Sequence, residues 1–560
     1  MEVIYWRNRC MPAVTQRALL TCLLALPWLF PFTNGPVTGA LPYVFAAAML
    51  ALALALWPAG DAVRAARGVA WGWGGAALVS GVIALLQYFD LEDWLFPWVN
   101  VAVPGQAFGN LRQTNHLASL LVIGLLALRW LVQDWRAAAR FAAPLAGLVA
   151  APVAGVMLAA LAATASRTGL AELLVCGALV LWWALASWWD DGRRQSGAAG
   201  LRVLLLAGGV LALYALAALL LPLLLQHTEG VAGRDLVERL RTAEDTCGSR
   251  RILWSNMLHL ISLKPWTGWG WGDLPYAHFM TLYDGPRFCY IVDNAHNLPL
   301  HLAVTLGVPA ALAVCALLAW LVWRGRPWAE RQPARQLAWG VLLAIGVHSM
   351  VEYPLWYGPF QIAALICVWL LWATRARAPA ACGQACRVVC GWPRYLASAL
   401  LLAALAYVGW DYFRIAQVYL PPEKRTALYL GDPDGEFDLS SLMANVLLPY
   451  RENPFDDARK SWLFADVVLF ADVVTQPVTR DNADWMLPAA LRTMHYSPEP
   501  RVITRVIESA AYLGRDDLAL EYLRRFKAAF ARDHQQWVQD NLRPPSQPAS
   551  GAPPPAAPDE

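Results

Sequence analysis

The chain is poor in charge. Only 15% of its 560 residues are Asp, Glu, Lys or Arg, against roughly 25% in soluble domains, whereas 58% are hydrophobic and the mean hydropathy is +0.40. That balance excludes an ordinary soluble globular protein. The sequence also lacks a glycine-rich phosphate loop, a nucleotide fingerprint and paired metal-ligating carboxylates, so a nucleotide cofactor or nucleotide-activated donor is not expected. No cofactor and no nucleic-acid partner is anticipated. No internal repeat stands out, which argues against the repeat-built folds of many transporters.

What the chain has instead is long apolar runs. Segments of about 17 to 25 such residues cross a hydrocarbon core of roughly 30 Å. They occur near 15–32, 40–57, 69–88, 114–132, 142–164, 168–188, 203–225, 298–323, 336–350, 355–373 and 395–413. The expected fold class is therefore all-α, a polytopic helical membrane protein with about eleven spans lying in a lipid bilayer. The first run follows Arg7, Arg9 and Arg17 and reads as a retained signal anchor.

Lys and Arg in short loops set orientation. With the N-terminus inside, nineteen arginines fall in inner segments, and only Arg112 and Arg167 in short outer loops. The expectation is a cytoplasmic N-terminus, a long outer loop at 226–296 and, beyond the eleventh span, an outer C-terminal region.

Polar groups gather at that outer face. Asp293-Asn294-Ala295-His296-Asn297 closes the long loop and opens an apolar run at Leu298; Arg112 sits in Phe108 to His116, beside Gln113 and Asn115. Arg167 lies at the tip of a hairpin, Arg250 and Arg251 lie in the long loop, and His348 to Pro354 includes Glu352 and Tyr353. Polar groups at the mouth of a span are costly and so tend to be functional. Arginine suits an anionic head group, because its planar fork binds phosphate oxygens bidentately and stays charged when partly desolvated. Arg112 and Arg167 taken singly could equally snorkel to lipid phosphates. His296 near neutral pH can accept a proton from a hydroxyl, with Asp293 or Glu352 to orient it. His301 lies five residues on, off the His296 face of a helix, and a metal site is not expected.

These residues resemble a known family. Phe108 to Ser119, Ser166-Arg167, Gly248 to Trp254, Pro265-Trp266-Thr267-Gly268-Trp269-Gly270, Asp293 to Leu300 and His348 to Tyr357 are similar to motifs of the O-antigen ligase and polymerase superfamily. Asn294 to Leu300 and Val351 to Tyr357 most resemble the PglL-type O-linked protein oligosaccharyltransferases of Gram-negative bacteria. The resemblance spans about residues 10–415. It implies a GT-C-like glycosyltransferase of the bacterial inner membrane with a periplasmic site. Such an enzyme transfers a preassembled oligosaccharide from undecaprenyl diphosphate to Ser or Thr hydroxyls of a protein such as pilin, without metal and with inversion. His296 maps onto the essential histidine, and Arg112, Arg167 and Arg250 or Arg251 onto donor-diphosphate residues. Gln113, Asn115, Asp293, Asn297, His348, Glu352 and Tyr353 are supporting candidates.

A periplasmic loop permits a disulfide between Cys247 and Cys289. Cys382, Cys386 and Cys390 share one helix face without a histidine nearby, and zinc is not expected there. Trp57, Trp71, Trp73, Trp94, Trp98, Trp188 and Trp189 read as an aromatic belt, and Trp266, Trp269 and Trp271 as candidates for stacking on sugar rings. The chain divides into a transmembrane domain at 1–418, a soluble tetratricopeptide-like helical domain at 419–540 and a Pro/Ala/Ser-rich tail at 541–560, in which Ser546 or Ser550 is a candidate acceptor in cis. An O-antigen ligase, an O-antigen polymerase and, in a different class, a transporter remain as alternatives.

Overall fold

The computed structural model describes residues 13–33, 35–58, 61–137, 143–190, 198–230, 247–375, 392–420, 425 and 454–542. Arg7 and Arg9, the Cys382, Cys386 and Cys390 cluster, and Ser546 and Ser550 of the tail lie outside them. Among the described residues the regular structure is all helical. Seven helices are long and apolar enough to cross a membrane, and three shorter apolar ones accompany them. The chain divides into two compact units.

The first unit takes residues 1–244, 294–302 and 309–464. Its centre is the pair Ala62–Tyr88 and Thr114–Ala137, which bury more of themselves than the other spans. Small residues allow them to approach: a Cβ on Gly124 would run into that of Ala77. In an apolar medium such close backbone packing replaces the hydrophobic drive for association. Ala198–Glu229 and Val308–Gly325 bury little of their apolar surface within the chain, as helices that face lipid do. Trp73 is fully buried in the core. It is therefore no part of an interfacial belt, unlike Trp94, Trp98 and Trp189, which are strongly exposed.

The expected span at 298–323 is two helices, Leu298–Leu306 and Val308–Gly325, parted at Gly307 with φ +87°. Pro309 has no N–H to give the Thr305 carbonyl, and another segment takes the carbonyls left open. Trp269 and Gly270 donate their N–H groups to the carbonyls of Val304 and Thr305 at 2.9 and 3.0 Å, and Val308 donates to Pro265 at 2.8 Å. A Cβ on Gly307 would meet the Trp266 carbonyl, and one on Gly268 (φ +67°) would meet Thr305. The Pro265 to Gly270 motif is thus the counterpart of this break.

The second unit takes 245–293, 303–308 and the chain from Ala465. Helices Arg250–Leu263 and Leu274–Met280 share it with Ala465–Thr475, Ala483–Tyr496, Pro500–Tyr512, Asp516–Ala529 and Ala531–Leu542. The helix at Pro500 buries Val502, Ile503, Val506, Ile507 and Ala510, one stripe at helical spacing. They join Phe279, Met486, Tyr522 and Phe526 in one core. Cys247 and Cys289 are disulfide-bonded, their Cα atoms 5.4 Å apart.

His278 in this unit is a structural histidine. Its Nδ1 accepts from the Tyr283 hydroxyl at 2.8 Å, and its Nε2 donates to the Phe288 carbonyl at 3.1 Å. Burial, followed by the neighbouring Arg287 charge, lowers its pKa to about 3. Arg287 itself donates to the carbonyls of Thr281 and His278.

Candidate active site

Local hydrogen bonds shape the turn that carries His296. The Asn294 side-chain oxygen accepts from the His296 N–H at 2.8 Å, a local side-chain-to-backbone bond of the kind that stabilises turns. Asn297 caps the next helix: its Oδ1 accepts from Leu300 N–H at 2.9 Å, and its Nδ2 donates to the Met350 carbonyl at 2.9 Å. His301 supports the turn from the following helix. Its Nδ1 accepts from Ala295 N–H at 3.4 Å, and its ring meets Trp356 edge to face at 5.0 Å. His296 itself sits at φ +49°, a region uncommon outside glycine and often held at functional sites.

The partner of His296 is Glu352, whose Oε2 lies 2.6 Å from the imidazole Nδ1. The Tyr353 ring stands edge to face against the imidazole at 4.8 Å. A carboxylate is an acceptor only, so Nδ1 carries a proton, and the neutral form of the imidazole presents its lone pair at Nε2. The His296 side chain keeps 18% of its surface accessible, against 6% for Glu352. The other Glu352 oxygen accepts from Asn115 Nδ2 at 3.3 Å. Asn115 Oδ1 in turn accepts from the Ser166 hydroxyl at 2.6 Å, and Ser166 Oγ accepts from Gly169 N–H at 2.9 Å. Four separate stretches of sequence are therefore joined by one chain of hydrogen bonds.

Beneath it lies a second polar cluster. Ser119 Oγ is 3.1 Å from the Asn115 carbonyl, 2.6 Å from Glu172 Oε1 and 2.6 Å from His348 Nδ1. Ser119, Glu172 and His348 are fully buried, and His116 nearly so. One hydroxyl proton cannot serve two such short contacts, so one partner must donate to Ser119 while the other accepts. His348 thus serves the layer below His296. Glu172 was missed from sequence, although a carboxylate within an apolar run is itself a signal.

Arg112, at φ +57°, is exposed and donates from its guanidinium to the Thr33 hydroxyl. Arg167 is exposed at the first residue of Arg167–Asp190, after a tight turn with Ala165 at φ +47°. Gln113 is part-buried. Arg250 and Arg251 open the helix Arg250–Leu263 in the second unit, capped by Ser249. Asp293 is exposed; the carboxylate on His296 is that of Glu352. Among the tryptophans, Trp269 is structural, donating to the Leu260 carbonyl at 2.9 Å beneath the Lys264 ammonium. Trp266 and Trp271 are mostly exposed. Among the described residues no group of His, Cys, Asp and Glu is arranged to hold a metal ion.

Comparison with known proteins agrees with the resemblance carried by the motifs. Residues 107–132 match a family described as a protein glycosylation ligase, residues 152–315 one described as an O-antigen ligase, and residues 336–543 the C-terminal part of a virulence factor membrane-bound polymerase. The chain is 26% identical over 289 residues to a general O-oligosaccharyltransferase of Acinetobacter baylyi. That match covers 51% of this chain and 47% of the relative, so the chain spans about half the length of the curated relative it matches. The similarity is to glycosyltransferases of the O-antigen ligase and O-oligosaccharyltransferase kind.

Proposed function

We propose that this protein transfers a preassembled oligosaccharide from undecaprenyl diphosphate to Ser or Thr hydroxyls of periplasmic proteins of the pilin kind, at a site on the outer face of the inner membrane. The observation that carries the reading is the His296–Glu352 pair at 2.6 Å, held in the tautomer a general base needs. In the proposed step Nε2 of His296 takes the proton from the acceptor hydroxyl. The hydroxyl oxygen bonds to the anomeric carbon as the bond from that carbon to the phosphate oxygen breaks. The electron pair leaves with undecaprenyl diphosphate, and Glu352 stabilises the imidazolium that forms. Attack from the side opposite the leaving group inverts the anomeric centre.

The diphosphate is already a good leaving group, so catalysis needs charge stabilisation and alignment more than covalent help. Arg112 and Arg167 are the proposed binders of the diphosphate. Arg250 and Arg251 are carried from the sequence motif as further candidates for the same role. General-base action of this kind contributes about 10² to 10⁴ in rate.

The matches to an O-antigen ligase and a membrane polymerase favour one second reading, in which the acceptor is a lipid A-core sugar or another glycan. One experiment separates them. Purified protein is given lipid-linked oligosaccharide with a serine-bearing pilin-like protein and lipid A-core as competing acceptors, comparing wild type with His296→Asn. Glycan on the protein, lost in the variant, supports the proposal. Glycan on the lipid alone makes it a ligase, and undiminished transfer by His296→Asn overturns the assignment of the base.

A further inference from the structure

The second unit contains a cleft that the transfer step does not use. It is an open cleft of about 430 Å³, a volume within the range of roughly 300 to 1,000 Å³ typical of small-ligand sites. Its walls include Trp271, Asp273, Asp466, Arg492, His495 and Tyr496. The Trp271 side chain is 60% exposed.

The polar wall is fixed in advance. His495 Nδ1 pairs with Asp273 Oδ1 at 2.9 Å, and the imidazole is stacked on Tyr276 with centroids 3.9 Å apart. Arg492 donates twice to Asp466 Oδ1, at 3.2 and 2.9 Å. Each carboxylate uses one oxygen in its pair, and the other carries no hydrogen bond among the described residues. His495 Nε2 and the second terminal nitrogen of Arg492 are in the same condition. The cleft thus offers both acceptors and donors.

Two features select the ligand class. Two carboxylates face one guanidinium, so the cleft offers no net positive charge to attract a phosphate or an acidic chain. The exposed indole adds a flat apolar surface. A ligand matching both has an apolar face of C–H groups and an edge rich in hydroxyls that both donate and accept, which describes a neutral pyranose. We propose that this cleft binds neutral sugar rings of the glycan, with Trp271 stacked on a ring face and Asp273, Asp466 and Arg492 gripping its hydroxyls. The assignment to the donor's glycan rests on the proposed transfer function; the binding chemistry does not.

The test uses the full-length protein in nanodiscs, with the oligosaccharide released by mild acid from the undecaprenyl diphosphate pool of the host as probe. Saturation-transfer NMR should show sugar protons receiving magnetisation from wild type and from Trp271→Phe. The signal should fall at least fivefold in Trp271→Ala and in the double variant Asp273→Asn/Asp466→Asn. Tyr512→Ala, exposed in the same unit but outside the cleft, should leave it unchanged. In transfer assays Trp271→Ala should raise KM for the full-length donor about tenfold with kcat within twofold, and leave KM unchanged for a donor bearing a single sugar. No saturation transfer to wild type, or a signal untouched by Trp271→Ala, overturns the proposal, as does a KM increase confined to the acceptor protein, which would make the cleft a protein-docking site. If wild type binds the sugar yet transfers nothing, the transfer reading fails while the cleft assignment stands.

Discussion

Glu352 Oε2 lies 2.6 Å from His296 Nδ1 across 56 residues of sequence, and the other oxygen of the same carboxylate accepts from Asn115. One carboxylate therefore sets both the tautomer of the candidate base and its attachment to the helix Thr114–Ala137. Replacing it with the isosteric amide, Glu352→Gln, keeps the shape but leaves one acceptor oxygen where His296 Nδ1 and Asn115 Nδ2 use two, and removes the negative charge that stabilises the imidazolium. Transfer should fall by about 10² to 10⁴ in kcat, with thermal stability within a few degrees of wild type. A fall of less than threefold in single-turnover assays would separate Glu352 from the chemistry.

Ser119→Ala tests the buried layer. It leaves Glu172 and His348 without the hydroxyl that joins them, and stranding buried polar groups costs about 1 to 3 kcal/mol each. The expected result is a lowered melting temperature with a small loss of kcat. The double variant Ser119→Ala/Glu172→Leu, which removes the stranded acid, should regain part of the stability in a thermal melt.

Gly307→Ala should weaken the second unit. It places a methyl against the Trp266 carbonyl at a φ of +87°, a combined strain of at least about 2 kcal/mol. Differential scanning calorimetry reads the loss. Unchanged unfolding would mean that the interlock between Pro265 to Gly270 and the helix break yields freely.

Acid should loosen the same unit through His278. The folded pKa of about 3 lies below the ordinary histidine value of 6.5, so the unfolded chain binds the extra proton first. Stability from this group is fully present above about pH 6.5 and declines as pH falls toward 3, at up to about 1.4 kcal/mol per pH unit. Hydrogen exchange at residues 274–288 should accelerate over that window in wild type, and His278→Asn should flatten the dependence.

Reducing the Cys247–Cys289 bond opens a loop with a sequence separation of 42, which chain entropy values at about 4 kcal/mol. Melting with and without dithiothreitol, with Cys247→Ser/Cys289→Ser as reference, should show the loss in wild type alone. Equal melting of all samples would mean the loop is held by packing.

Hydropathy placed most of the apolar helices, because composition over some twenty residues decides whether a segment is solvated by lipid; of the eleven expected spans, the one at 336–350 is the helix Pro333–Ser349, which is neither among the seven long apolar helices nor among the three shorter ones. His296 was legible for the complementary reason, as a polar residue where an apolar run begins. Its partner was not. Asp293 is three residues away and Glu352 is 56 away, and only tertiary packing chooses between them. The break at Gly307 was overlooked because the run through Leu298 to Leu321 is mostly apolar, although Gly307 and Pro309 together signal a helix end; the hydrogen-bond competitor from Pro265 to Gly270 was not legible. Glu172 was overlooked because one carboxylate barely lowers the hydropathy of its helix, although burial makes it the costliest residue there.

The left-handed backbone at His296 also limits how the position can be interrogated. Glycine meets φ +49° without penalty and asparagine at modest cost, whereas other side chains lose about 1 to 2 kcal/mol of backbone energy. An alanine or glutamine variant would therefore report two losses at once, one from the missing imidazole and one from a turn reluctant to close. The usable alphabet at this site is short, and any effort to evolve a different base into the scaffold must first find a residue that the turn will accept.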